Sequence, residues 1–459
     1  MIKTLRTTVL VLTVALLLSA CGTKRTTTGE LPATSFPKEA VTLEYWRLWD
    51  DSAVFDEFIS SYQELHPNVN IVVKKIEIDE GETIYDYQAK VIKAIADGQG
   101  PDIFMIHNDW LPYHINQIYP LPPNIISLDE YRKVFPEVVQ NDFIQNNQVY
   151  AVPYYIDTLM LFYNPRLLEE AGIKRLPQTW QDIVDITPKL TKLNSRNPRQ
   201  ILQSAIPLGV TDTHIPRFAD ILATLMMQNG AEMVSPDRKN ATFDLPLPGT
   251  PSRFPGKEAL DFYVSFADPT KETYTYTDTI KGAAPPLNWQ DLKSQFDFPS
   301  DIQAFIEEKA AFFVGYAYQV PNIKRFNPSL IFGTTVLPQV TLDNPKVMAN
   351  YWGEAVSRNS KYPDVAWDFV RFMATARNNS RYTQATQRVS ARKDLREVAL
   401  DRTYYGAVAQ QIPYAQSWYR QNTTKVESIF ADMVKKVLHE KVDSQTAVRA
   451  AVEAIDDLK

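Results

Sequence analysis

Few residues in this chain have the types and spacing that do chemistry. Cys21 is the only cysteine among 459 residues, and the five histidines, His66, His107, His114, His214 and His439, show no metal-ligand spacing. His439 opens the run "HEKVD", which lacks the second histidine of a zinc-protease helix and reads as a solvated helix face. No G-x-S-x-G elbow occurs, and neither of the glycine-rich phosphate loops does. Paired carboxylates for glycoside hydrolysis leave no local signature, because they are assembled in three dimensions. A surface glycan-degrading enzyme therefore stays open as an alternative. No cofactor and no metal ion is called for by any motif.

Cys21 itself has a clear context. Lys3 and Arg6 lie in the first eight residues, Val9 to Ala20 form a nearly unbroken apolar run, and the small residues Ser19 and Ala20 stand just before the cysteine. That is the layout of an export signal. Its twelve apolar residues are too few to cross a bilayer, which takes roughly 20. Leu18-Ser19-Ala20-Cys21 resembles the bacterial lipobox, and the resemblance implies cleavage after residue 20 and lipidation of Cys21. Residues 21–37 are rich in Thr, Gly and Pro without periodicity, which predicts a flexible tether.

The remaining four hundred or so residues suffice for two cores of the usual size. With 44% apolar and 12% aromatic residues the chain is globular, and its formal charge of −6, or −8 once Lys3 and Arg6 leave with the signal, gives no sign of a nucleic-acid partner. After Ala20 no apolar run reaches 18 residues, so the mature chain is expected not to span a membrane.

The elements that must position any site follow from periodicity. "VTLEYWRLW", "NIVVKKIEI" and "DIFMIH" are strand-like and alternate with helical patterns, a β-α-β-α-β run that predicts a parallel sheet with ligands beyond its carboxyl ends. "YAVPYYIDTLMLFY" reads as one continuous strand, and "PQTWQDIVDI" as a helix capped by Thr179 with Asp182 in capping-box position. Residues 237–255 form a proline-rich loop or insertion. "YPDVAWDFVRFMAT" is a helix with Pro363 in its first turn, and "QTAVRAAVEAIDDL" a final amphipathic helix.

Five stretches, in order, carry a resemblance: "GQGPDIFMIHNDW", "YAVPYYIDTLMLFYNPRLLEEAGIKRLPQTWQDI", "LMMQNGAEMV", "AFIEEKAAFFVGYAYQVPNI" and "YWGEAVSRNSKYPDVAWDFVRFM". Together they resemble the extracellular solute-binding proteins of ABC importers, in the sugar-binding group that includes maltose-binding protein. The resemblance implies an α/β clamshell of two lobes, each a mostly parallel sheet flanked by helices, with three hinge crossings near residues 152–157, 349–353 and 389–394. Lobe 1 would hold residues 38–152 and 353–390, and lobe 2 residues 157–349 and 394–459. Asp109, Asp157 and Tyr318 fall where the family meets its ligand, Tyr318 in place of a tryptophan. A carboxylate takes two hydroxyl hydrogen bonds at once, and an aromatic face covers the C–H side of a pyranose. By the same logic Trp46, Trp49, Asp50, Trp110, Tyr154 and Trp352 are candidates, while Tyr155 is expected to be packed and Asp102 structural. Arg47, beside the cleft, would suit an anion.

The function implied is a monomeric, lipid-anchored receptor on the outer face of the cytoplasmic membrane. It would bind a sugar or oligosaccharide, perform no bond chemistry, and deliver the ligand to ABC permease subunits. A sensory lipoprotein for a non-sugar ligand is the third reading.

Overall fold

Val41 to Arg47 buries every second side chain, Val41, Leu43, Tyr45 and Arg47, as a strand with one face on a core must. This strand, β1, begins the run β1 (Val41–Arg47), α1 (Ala53–Leu65), β2 (Val69–Lys75), α2 (Ile84–Ala96), β3 (Ile103–His107) and β4 (Ile118–Tyr119). Helix α1 buries Phe55, Phe58 and Tyr62, and α2 buries Tyr87, Val91 and Ile95, each a single stripe at helical spacing. The structure is a computed structural model and describes residues 37–48, 50, 53–78, 84–271, 273 and 300–458. Cys21, Trp49 and nearly all of the tether lie outside the described residues.

The segment expected as one strand is three: β5 (Val152–Pro153), β6 (Tyr155–Thr158) and β7 (Met160–Tyr163). Each joins a different sheet, because the chain turns at Tyr154 and again at Leu159. Helices α3 (Trp180–Leu190), α4 (Phe218–Gln228) and α5 (Pro255–Ser265) follow, then β8 (Phe312–Gly315), β9 (Gly333–Val336), β10 (Val347–Asn350) and β11 (Trp352–Ser357). The chain closes with α6 (Pro363–Ala374), α7 (Ala376–Ala385), β12 (Val389–Ser390), β13 (Ala415–Gln416), α8 (Thr423–Leu438) and α9 (Ser444–Asp456). Thr179 and Asp182 make the reciprocal capping box at the start of α3.

The first lobe is built on a sheet of order β2-β1-β3-β11-β4, with β5 also on β11. Strands β1, β2 and β3 are parallel, and β11 runs antiparallel to β3. In the second lobe β8, β7 and β9 pair antiparallel, a departure from the mostly parallel sheet expected there. Strand β7 lies between two strands that come from far along the chain, so no short βαβ crossover dictates their direction. Helices α8 and α9 pack on each other and on α5.

Between the lobes lies a third sheet, β12-β6-β10-β13. The chain passes from the first-lobe sheet into it at Tyr154, between β5 and β6, and returns at Tyr351, between β10 and β11. Both transition residues are fully buried tyrosines. Gly353, two residues into the return, admits no side chain, since a Cβ there would lie 2.7 Å from Phe143 and 2.9 Å from Ala151.

Candidate ligand-binding site

Strand parity at the crossing decides what faces the interior. Tyr155 and Asp157 lie two residues apart on β6 and share a face, and both line a cavity of about 410 Å³ between the lobes. Tyr154 does not. It sits in the first-lobe core, its ring edge-on to Tyr382 at 5.6 Å and its hydroxyl directed at the Val370 carbonyl. The expectation is thus reversed: Tyr155, not Tyr154, reaches the cavity, because adjacent strand residues point to opposite faces.

Asp157 is a connector as much as a contact. Its Oδ1 accepts the N–H groups of Thr158 (2.8 Å) and Ala317 (3.0 Å), and Oδ2 accepts the N–H of Tyr318 (3.1 Å). Burial pushes its carboxyl up to about 7 against these three hydrogen bonds, which favour the charged form. By fixing the turn after β8, Asp157 presents Tyr318, whose ring is 43% exposed and stacks on Tyr316 at 5.9 Å. The Tyr318 hydroxyl accepts a hydrogen bond from Arg217 Nε at 3.1 Å.

Trp352 forms the opposite wall from the start of β11. It stands edge-on to His107 (5.1 Å) and to Trp110 (4.8 Å). Trp110 is therefore behind Trp352 and borders a neighbouring cavity of about 440 Å³ along α2 and the start of α8. Asp109 is also outside the main cavity. It accepts hydrogen bonds from His107, from Arg420 Nη2 (2.7 Å) and from Thr423 Oγ1 (2.8 Å). Burial would raise its pKa, but His107 and Arg420 outweigh that and hold it well below the usual carboxylate range. Its chemistry is to tie the loop after β3 to the start of α8.

Three further expectations are corrected. Trp46 lies on the outer face of β1, its Nε1 donating to Glu44 at 3.0 Å and its ring 5.1 Å from Lys74 Nζ. Arg47 shares the inward parity of β1 and is fully buried, paired with Glu354 (2.7 Å) and Asp50 (3.0 Å), so it offers nothing to an anion in the cleft. Asp50 does not line the cavity but braces a residue that does, accepting from Arg388 Nη1 at 2.8 Å.

The polar residues of the wall that the sequence reading missed include Arg217, Arg388, His107 and Asn322. Asp109 could have pointed to His107, which stands two residues earlier at the end of β3. Arg388 precedes β12, whose pairing with β6 has no local signal.

A family model described as bacterial extracellular solute-binding protein matches residues 49–380. The chain is 24% identical over 394 residues to the maltodextrin-binding protein MdxE of Bacillus subtilis, a match covering 83% of this chain and 79% of that one. It is also 24% identical over 185 residues to an uncharacterized ABC transporter extracellular-binding protein of Pyrococcus horikoshii, a match that spans 40% of this chain and 41% of that protein. Among solved structures it superposes on the sugar-binding protein MalE from Xanthomonas citri with a TM-score of 0.68 at 18% identity, covering 91% of this chain and 97% of that one. The likeness in structure gives the fold, the two-lobed arrangement of periplasmic binding proteins.

Proposed function

The chain belongs to the bacterial extracellular solute-binding proteins, and from that premise we propose that it binds a carbohydrate between its lobes and delivers it to an ABC permease. One observation carries the reading: Tyr318 from the second lobe and Trp352 from the first line a single cavity, with Tyr155 of the crossing strand between them. Aromatic faces on two sides, with amide and guanidinium groups between, suit a pyranose, which has apolar faces and a polar rim. A hydrolase would need two carboxyl groups flanking the bond, roughly 5 to 9 Å apart. Among the described residues this cavity wall carries one, Asp157, and its oxygens hold backbone N–H groups.

The names of relatives point the same way, toward maltodextrin and sugars. Among the described residues no helix is long and apolar enough to cross a membrane, so transfer across one calls for a partner. The outer face of the cytoplasmic membrane is the place such a receptor works, held there through Cys21. The anchor rests on residues 1–21 of the sequence alone, and it has a direct test. Cys21→Ser should move the protein from the detergent phase to the aqueous phase; a variant as firmly membrane-held as wild type would remove the anchor from the proposal.

Thermal shift of the mature chain against a sugar panel tests the ligand class. A true ligand at 100 times its dissociation constant adds about 2.7 kcal/mol. Tyr318→Ala should weaken that ligand about ten-fold, a loss of about 1.4 kcal/mol, with little change in melting temperature. No shift with any saccharide would overturn the carbohydrate reading.

A further inference from the structure

Two guanidinium groups, one from each lobe, line the proposed sugar cavity. Arg388, at the entry to β12, is a quarter exposed, its cation 4.4 Å from the centre of the Tyr155 ring. Arg217, at the start of α4, is also partly exposed and lies 5.8 Å and 5.9 Å from the rings of Tyr316 and Tyr318. Neither is free to swing. Arg388 Nη1 donates to Asp50 Oδ2 (2.8 Å) and to the Tyr382 hydroxyl (2.7 Å), while Arg217 Nε donates to Tyr318.

Their counter-charges stand behind them and not in the wall. Asp50 Oδ2 also accepts from Arg47 Nη2 at 3.0 Å, and Arg47 has a second carboxylate in Glu354 at 2.7 Å. Asp220 is 3.9 Å from Arg217 Nη1 and 3.7 Å from Arg420, whose closer carboxylate is Asp109 at 2.7 Å. Among the described residues, neither Nε nor Nη2 of Arg388 donates to a protein acceptor, and Nη2 of Arg217 does not either. The Nε–Nη2 edge of an arginine presents two parallel N–H donors at the spacing of a carboxylate, sulfate or phosphate.

The cavity supplies no anion to meet them. Its one lining carboxyl, Asp157, spends its oxygens on three N–H groups, and burial withholds much of its charge near neutral pH. A sugar hydroxyl offers a single oxygen to these donors, whereas a carboxylate, sulfate or phosphate meets both N–H groups of the Arg388 edge at once. Bidentate geometry, with charge on both sides of the hydrogen bonds, favours an oxyanion over a hydroxyl at this edge.

We infer that the ligand is an acidic saccharide, its carboxylate, sulfate or phosphate seated on the Nε–Nη2 edge of Arg388 with Arg217 across the cavity, and its ring against Tyr318 and Trp352. The inference rests on the carbohydrate reading and narrows it.

Calorimetry on the mature chain decides it, with digalacturonate, glucose 6-sulfate and glucose 6-phosphate as the three anionic arms and maltotetraose and cellotetraose as neutral ones. At least one anionic saccharide should bind more than about ten-fold tighter than either neutral sugar, and the arm that does so names the group. Its affinity should fall several-fold between about 50 and about 300 mM NaCl, as the screening length shortens. Arg388→Gln should remove more than about ten-fold of the preference. If that variant does not fold, Arg217→Gln supplies the same reading. A neutral sugar that binds as tightly as the acidic ones, without salt dependence, would overturn the inference and leave the carbohydrate reading standing. Binding of none of the five would set both aside.

Discussion

Asp157 holds three backbone N–H groups in a buried place, and its protonation makes stability depend on pH. Its folded value, about 7, lies above the 3.8 of an exposed aspartate. Between those values the unfolded chain binds fewer protons than the folded one, so this group's contribution falls as pH rises, by at most about 4 kcal/mol. Asp157→Asn removes the titration but turns an amide donor toward the N–H of Ala317 or Tyr318, a mismatch that costs about 1 to 3 kcal/mol. The variant should be the less stable protein at pH 4.5, and the gap should narrow or reverse by pH 8. Urea unfolding at both pH values checks this, and a gap that stays constant would refute the raised carboxyl. At this scale the sequence was partly legible. The alternation rule correctly separates Tyr154 from Tyr155, yet it does not say which of them faces the ligand. The phase was available from Asp157, which shares the parity of Tyr155. Arg47 was legible in the same way, since it keeps step with Val41, Leu43 and Tyr45, all buried. Nothing local marks Arg217 or Arg388 as neighbours across a cavity.

Elements whose signals are local match their patterns closely. The stripes of α1 and α2, the capping box of α3, and Pro363 in the first turn of α6 are each written within one or two turns of sequence. Strand pairing is another matter. An apolar run such as "YAVPYYIDTLMLFY" fits one long strand or several short ones, and only partners far along the chain decide between them. Here β5 pairs with β11, β6 with β10 and β12, and β7 with β8 and β9, all at least 149 residues away. The antiparallel sheet of the second lobe was hidden for the same reason. Two very short strands, β5 and β12, contribute two residues each, below what periodicity can register, although β12 places Arg388.

At the scale of the molecule, three side-chain links join the first lobe to residues 417–427 of the second. Asp109 holds Arg420 and Thr423, Tyr85 donates to Glu427 at 3.0 Å, and Ser417 donates to Asp142. The links lie beside the cavity, where they tie the two lobes to each other, and Asp109 joins them to His107 in the cavity wall. A clamshell of this kind exchanges between open and closed states that differ by a few kcal/mol, and a ligand touching both lobes favours closure by its differential affinity. The Asp109 links contribute to the same balance without a ligand. Removing about 2 kcal/mol of charge-assisted hydrogen bonding would shift the open-to-closed ratio about thirty-fold. Asp109→Ala should therefore enlarge the radius of gyration of the unliganded protein in small-angle scattering. It should also weaken the ligand, because part of the binding free energy must then restore closure. Saturating ligand should return the variant to the wild-type radius. A variant with wild-type scattering and wild-type affinity would show that Asp109 braces the loop after β3 without biasing the hinge, and the strands at Tyr154 and Tyr351 would then set the equilibrium alone.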